Sequence, residues 1–383
     1  MNAFFQGFAG TIRRIATDGG ALLLLVGAIG VYSMFYPLPY LHQVVKGSPV
    51  GIIDFDDSSL SRQLIRWVGA HENLRIAQHY TSASELEEGL AGGEIDGYLV
   101  IPAGFRRDVL RGRAAVVIYG GDASRFLVFK QVLGGFAEVT GTLSAGIEVR
   151  RLQAAGQIHP QALTTQGPVQ LHLRPLFNTR EGYGSYLIPA AFVLILQQTL
   201  LLGIGLIYGT DRGRTGRLLP LPAPGLLARF VGSCAAFMSL YAIHAAFYFG
   251  FCFWLFDLPR NGNLLVLAVF TVPFLLAITL FAQTLGGWCR QRETSLQILL
   301  VTSIPFLFLA GFAWPLALMP APLRWLAHLV PATAGIQGYL RLNQMGASLA
   351  EVSHWWWTLW ALCLLYAWPA WRNWRQTYDP PRP

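Results

Sequence analysis

The chain has 383 residues, of which 54% are hydrophobic and only 13% charged, and its formal net charge is +8. Soluble globular proteins carry about 25% charged residues, so a fully solvated surface is excluded. Fifteen of the twenty carboxylates precede residue 186; beyond it stand only Asp211, Asp257, Glu293, Glu351 and Asp379.

In chain order, Phe4, Phe5, Phe8, Ile12 and Ile15 recur at roughly helical spacing. They predict an amphipathic helix suited to the membrane interface. Gly20 to Leu41 is long and apolar enough for a first span. Arg13 and Arg14 before an apolar run also fit a signal peptide, but no small-residue cleavage site follows. From residue 49 strand-like and helix-like runs alternate. PVGIIDF, LRIAQ, IDGYLVIP and AAVVIYG read as strands, and SSLSRQLIRWVGA, capped by Asp57 or Ser58, and SASELEEGLAGG read as helices. The alternation predicts a small α/β domain. Arg125 to about Ala155 reads as a long helical arm, and Val169–Phe177 as a strand returning to the membrane. Further spans are expected at Tyr186–Tyr208, Leu227–Phe256, Leu264–Gly286, Leu296–Leu316 and Trp355–Trp371. Tryptophans crowd their ends (Trp254, Trp288, Trp314, Trp325, Trp355, Trp356, Trp357 and Trp371), as an interfacial belt requires.

The expected fold class is an α-helical polytopic membrane protein of six transmembrane helices with an inserted α/β extracytoplasmic domain. Its parts are an interfacial segment (1–19), a first span (20–41), an α/β domain with a helical arm (42–185), five further helices (186–371) and a tail (372–383). Arginine supplies nearly all the positive charge, Lys46 and Lys130 being the only lysines. With the N-terminus inside, Arg13, Arg14, Arg212, Arg214, Arg217, Arg229, Arg290, Arg292, Arg372, Arg375 and Arg382 fall in cytoplasmic segments. Only Arg260, Arg324 and Arg341 fall in short outside loops. That bias puts both termini in the cytoplasm and residues 42–185 outside. It also accounts for the basic balance without nucleic acid, since no basic stretch is interleaved with aromatics.

The catalytic readings fail one by one. Asp54, Asp56 and Asp57 have no partner at ligand spacing and read as a strand end turning into a helix cap. No HExxH occurs, and Ser58, Ser59 and Ser61 lack a GxSxG context. Cys234, Cys252, Cys289 and Cys363 form no CxxC pair. A P-loop needs Lys followed by Ser or Thr, but Lys46 precedes Gly47 and Lys130 precedes Gln131. The spans carry no carboxylate on this reading, which disfavours ion coupling. Their strong polar residues are Gln197, Gln198, His244 and Gln283, each suited to an interhelical hydrogen bond or to lining a substrate path. Active transport would therefore draw its energy from another subunit.

The run GFAWPLALMPAPLRWLAHLVPATAGIQGYLRL, Gly311 to Leu342, is similar to the end of the type-2 ABC exporter permease domain. The likeness lies in the spacing of Gly311, Pro315, Pro320 and Pro331. It implies a fifth helix that breaks at the outer face and re-enters, with Pro315 disrupting the ladder. One span, a large insertion and five spans, with VGIIDFDDSSLSRQLI opening the insertion, resembles the subgroup with a large periplasmic domain. The resemblance implies a permease dimer, homo- or heteromeric, moving a hydrophobic or amphipathic substrate outward across a bacterial inner membrane. An ABC ATPase subunit would hold ATP and magnesium, this chain binding no cofactor and no metal. The subgroup works with periplasmic adaptors and outer-membrane channels in tripartite efflux. By position, the N-terminal segment and the Tyr208–Gly225 loop, with Arg212, Arg214 and Arg217, would face the ATPase, and Arg290, Arg292 and Glu293 would form a second contact. The bland reading of that loop is a solvated basic turn. The competing function is a membrane-anchored structural or signalling protein whose outside domain binds a partner.

Overall fold

The computed structural model describes residues 2–41, 44–167, 174–179, 181–213, 225–288 and 291–378. Contacts divide the chain into two compact units, Met1–Gln43 with Pro175–Pro383, and Val44–Arg174.

The helical unit begins with α1 (Ala3–Thr17), capped by the Asn2 side chain. Its Phe5 is exposed, but its Thr11 and Ile15 face is buried. The helix therefore does more than float in an interface plane. α2 (Gly19–Tyr40) follows and widens into a π-type turn at Leu23–Gly27.

The inserted unit runs β1 (Ser48–Asp54), α3 (Ser59–Ala70), β2 (Leu74–His79), α4 (Ala83–Ala91), β3 (Gly97–Ile101), α5 (Phe105–Leu110), β4 (Ile118–Gly121), α6 (Phe126–Ala154) and α7 (His159–Gln166). The sheet order is β2-β1-β3-β4, with β1 parallel to β2 and β3, and β4 antiparallel to β3. Side chains alternate across the strands. Val50, Ile52, Leu99 and Ile101 pack with Leu64 of α3 and with Val132, Phe136, Val139 and Leu143 of α6. Ile53 packs on the other face with Tyr80, Leu86 and Ile95. The carboxyl ends of β1 and β3 form the switch point where α/β folds commonly take ligands. Here aspartates fill it. Asp54 accepts from the Asp56 and Asp57 amides and from the Ser61 hydroxyl. Asp56 accepts from the Gly104 and Arg106 amides at 2.9 and 3.1 Å. Burial pushes the Asp56 carboxyl up, but bonds from Ser58, Arg106 and Gly104 outweigh it and leave the pKa below its ordinary value. Of the expected strand Val169–Phe177, residues 169–173 lie outside the described residues, and 174–177 are not in a strand.

The helical unit resumes with α8 (Tyr183–Gly213), α9 (Leu226–Leu255), α10 (Leu264–Gly286) and α11 (Arg292–Leu309). Then come α12 (Ala321–His328), α13 (Pro331–Tyr339) and α14 (Ser353–Tyr378). Among the described residues, five helices are long and apolar enough to cross a membrane: α2 and α8 to α11. α9 has 30 residues, or roughly 45 Å at 1.5 Å per residue, more than the ~30 Å hydrocarbon core. Pro189, Pro273 and Pro369 sit inside α8, α10 and α14 without ending them. α11 starts four residues before the expected Leu296. It breaks at Thr302, where Pro305 cannot donate to the Val301 carbonyl, and stops at Leu309 rather than Leu316. The expected cause also shifts. Gly311, at φ +80°, ends the helix in a backbone form that suits glycine, and Pro315 only starts the next turn.

Where α1 crosses α9, a β-carbon on Gly232 would strike the backbone of Phe4 and Phe8. The missing side chain lets the two helices meet at backbone distance, as small residues do in membrane bundles.

Candidate functional site

Polar side chains gather at one end of the helical unit. α1 stops at Thr17, and Asp18 caps α2 by accepting from the amides of Gly20 and Ala21 at 3.0 and 3.1 Å. A helix N-terminus favours that negative charge. The same carboxylate receives both terminal nitrogens of Arg292 at 2.6 and 2.9 Å, a bidentate pairing. Arg292 also donates to the Thr210 hydroxyl at 3.0 Å. One guanidinium thus joins the starts of α2 and α11 to the end of α8. The Arg292 bonds hold the Asp18 carboxyl below its ordinary pKa.

Asp211 accepts from the Tyr378 hydroxyl at 2.7 Å and lies 3.5 Å from Arg14 Nε. The Arg14 guanidinium sits 4.3 Å over the Tyr378 ring, a cation–π contact. Arg212 points at the neighbouring helices. It donates to Thr377 Oγ1 at 2.9 Å and to the carbonyl oxygens of Gly287 and Asn373. It therefore caps the carboxyl end of α10, whose last carbonyls have no partner within the helix. Asn373 closes the same corner by donating to the Thr284 carbonyl at 2.8 Å. α1 is tied to α9 by Thr11–Ser233 at 2.9 Å and by Arg229 donating to Gln6 at 2.7 and 3.2 Å.

Of the residues expected to face an ATPase, Arg212 is bonded inside this corner, and Arg292 is half-buried and central to it. Glu293 is exposed in the first turn of α11. Arg214, Arg217 and Arg290 lie outside the described residues. Asp18, Arg14, Asp211, Asn373 and Tyr378 were not expected. Asp18 had a readable signal, an N-cap residue standing just before an apolar run. The sequence ends α8 at Tyr208 and so leaves Asp211 in the following loop. The helix runs on to Gly213 and buries it.

The four polar residues within the helices are dispersed, each on a different partner. Gln197 is fully buried and accepts from the Ala332 amide at 2.7 Å, capping the first turn of α13. Gln198 donates to the Ser303 hydroxyl at 2.6 Å, at the break in α11. His244 meets the Leu25 carbonyl at 2.8 Å within the π-type turn of α2, beside Tyr248, which donates to the Ile29 carbonyl at 3.0 Å. Gln283 contacts Cys234 at 3.5 Å. None of the four lines the apolar groove of about 590 Å³ between α9 and α10, where the Thr271 and Tyr339 hydroxyls pair. Ala242, Ala246 and Gly250 form a wall of that groove. Their four-residue spacing puts small residues on one helix face, a signal present in the sequence.

After Gly311 the chain makes two short helices rather than one span. Pro320 stands at the N-terminus of α12 and Pro331 at that of α13, where proline costs no hydrogen bond. α13 is almost wholly buried. The carbonyls freed by the break are taken up across the fold. Leu309 accepts from Thr333 at 3.1 Å, Gly311 from Gln337 at 3.3 Å, and Phe312 from the Tyr186 hydroxyl. Non-helical backbone is tolerated at membrane depth only when protein covers it in this way.

Apolar helices of spanning length, polar clasps between them and a broken helix followed by the buried α13 fit a multi-pass membrane protein. The model for ABC-2 family transporter proteins matches residues 21–372, and the chain belongs to that family. No curated protein matches it significantly.

Proposed function

We propose that the chain is the permease of an ABC exporter driven by a separate ATPase. The family match gives the transport class. The observation that supports a cytoplasmic coupling end is the corner where Asp18, Arg292, Asp211 and Arg212 join α1, α2, α8, α10, α11 and α14. On this reading six helices span, α14 being the sixth, both termini are cytoplasmic and residues 44–174 lie outside. The membrane is a bacterial inner membrane. ATP and magnesium sit on the partner, and a second permease copy completes the path for a hydrophobic or amphipathic substrate. A periplasmic adaptor and an outer-membrane channel extend the assembly. A force applied at the corner moves several helices together, because the bonds of Arg292, Arg212 and Asp211 each run between helices.

The test is co-purification of an ATPase with the intact chain. Arg212 is bonded internally, so replacing it would disturb the fold as well as the contact. Arg214→Glu with Arg217→Glu is the cleaner variant and should release the ATPase while the permease remains monodisperse. Absence of any ATPase on the intact protein would return the chain to an anchored structural or signalling role.

A further inference from the structure

The inserted unit holds a cavity of about 640 Å³ between α5, α6 and the extended segment that leads into β4. That volume is typical of small-ligand sites. Leu64, Phe105 and Leu143 are buried side chains that reach it. Arg113, Arg151 and Glu148 also line it. Glu148 pairs with Arg151 at 3.1 Å, which leaves one positive charge in excess among them. Among the described residues no side-chain partner of Arg113 occurs. The Arg151 guanidinium lies next to Gly112, 3.0 Å from where a β-carbon there would stand, and so beside Arg113. The sequence strengthens the sign: residues 106–113 carry Arg106, Arg107, Arg111 and Arg113 against Asp108 alone.

We propose that this cavity binds an anionic amphiphile, its acyl or other apolar tail on the leucine and phenylalanine side chains and its carboxylate or equivalent head on Arg113 and Arg151. An apolar wall with adjacent guanidiniums suits that class. A neutral apolar ligand would leave the guanidiniums unused, and a cationic one would be repelled. The site belongs to the inserted unit and does not depend on the exporter reading.

The experiment uses the purified full-length chain in lipid nanodiscs with three diazirine-bearing probes of one tail length: a decanoate, a decanol and a decylamine. After photolysis, labelled peptides are mapped. The decanoate should label peptides from residues 105–119 and 137–151, unlabelled decanoate should compete, and the decylamine should leave them unlabelled. Arg113→Glu with Arg151→Glu should weaken labelling at least tenfold, roughly a factor of ten for each charged hydrogen bond lost. Gly141→Trp gives a second route. Gly141 lines the cavity and has open space around its β-carbon position, so a tryptophan can start there without a backbone clash, and its ring should occupy the cavity and abolish labelling. Gly146→Trp, on the same helix with equally open surroundings but outside the lining, should leave it intact. Equal labelling by the decylamine, labelling unaffected by Gly141→Trp, or no decanoate label on these peptides would overturn the proposal.

Discussion

The two units differ in the work that polar side chains do. In the inserted unit many act close to home: Asp54 binds Ser61, Ser58 and Ser61 cap one helix reciprocally, and Asp122 binds Ser124, while Asp56 on Gly104 and Arg106, and Arg125 on Asp96, reach further. In the helical unit they reach across the fold: Asp18 to Arg292, Gln197 to Ala332, His244 to Leu25. The reason lies in the solvent. The inserted unit gains stability by taking apolar side chains out of water, so its polar groups are left to turns and caps. Helices in lipid gain little from exchanging acyl chains for one another, and close packing with interhelical hydrogen bonds holds them instead. Stability in the first unit is concentrated in a core; in the second it is divided among clasps.

Four substitutions or conditions would break or sharpen that contrast. The largest effect is expected from Phe136→Ala, which empties a fully buried position. It should cost about 3–5 kcal/mol and open residues 44–174 to protease while the helical unit stays resistant. Next is Gly232→Leu, which collides with the α1 backbone. A cost of about 3 kcal/mol should release α1, read as tryptic cleavage after Arg13 and Arg14. Third, Arg212→Ala removes one clasp and should cost about 2 kcal/mol. Tryptophan fluorescence during thermal unfolding measures it well, since eleven of the twelve tryptophans lie in the helical unit and only Trp67 in the inserted one.

The smallest effect is a pH dependence. The Asp18 carboxyl is held below its ordinary value of 3.8. Its ionised form therefore adds stability that is fully present above 3.8 and is lost as pH falls through the lower folded value. The melting midpoint should decline on acidification below that point, and the part owed to Asp18 should be missing in Asp18→Asn.

What the sequence made legible follows the same division. Apolar runs placed α2, α9 and α10 to within a residue, because length and hydropathy are local properties, whereas α8 and α11 differ from expectation by several residues at each end. The strands of the inserted unit were legible from their alternation with helical runs. The end of α11 was not, because Pro315 is the more conspicuous breaker in the sequence, whereas the structure stops the helix just before Gly311 and carries Pro189, Pro273 and Pro369 inside continuous helices. The polar corner was hidden for a different reason. Asp18 and Arg292 are 274 positions apart, and neither carries a motif that names the other. Of the residues singled out at that end, Arg292 proved central, while Arg212 turned out to be a helix cap.

The proposed function makes the Asp18–Arg292 pair the link between helix ends and a separate ATPase. A charge-swap cycle tests it most directly, with ATP hydrolysis by the reconstituted complex as the readout. Asp18→Arg and Arg292→Asp should each depress hydrolysis about tenfold, and the double variant should recover most of it, the interaction energy of a coupled pair. Single variants as active as the parent, or a double variant no better than the worse single, would contradict the account.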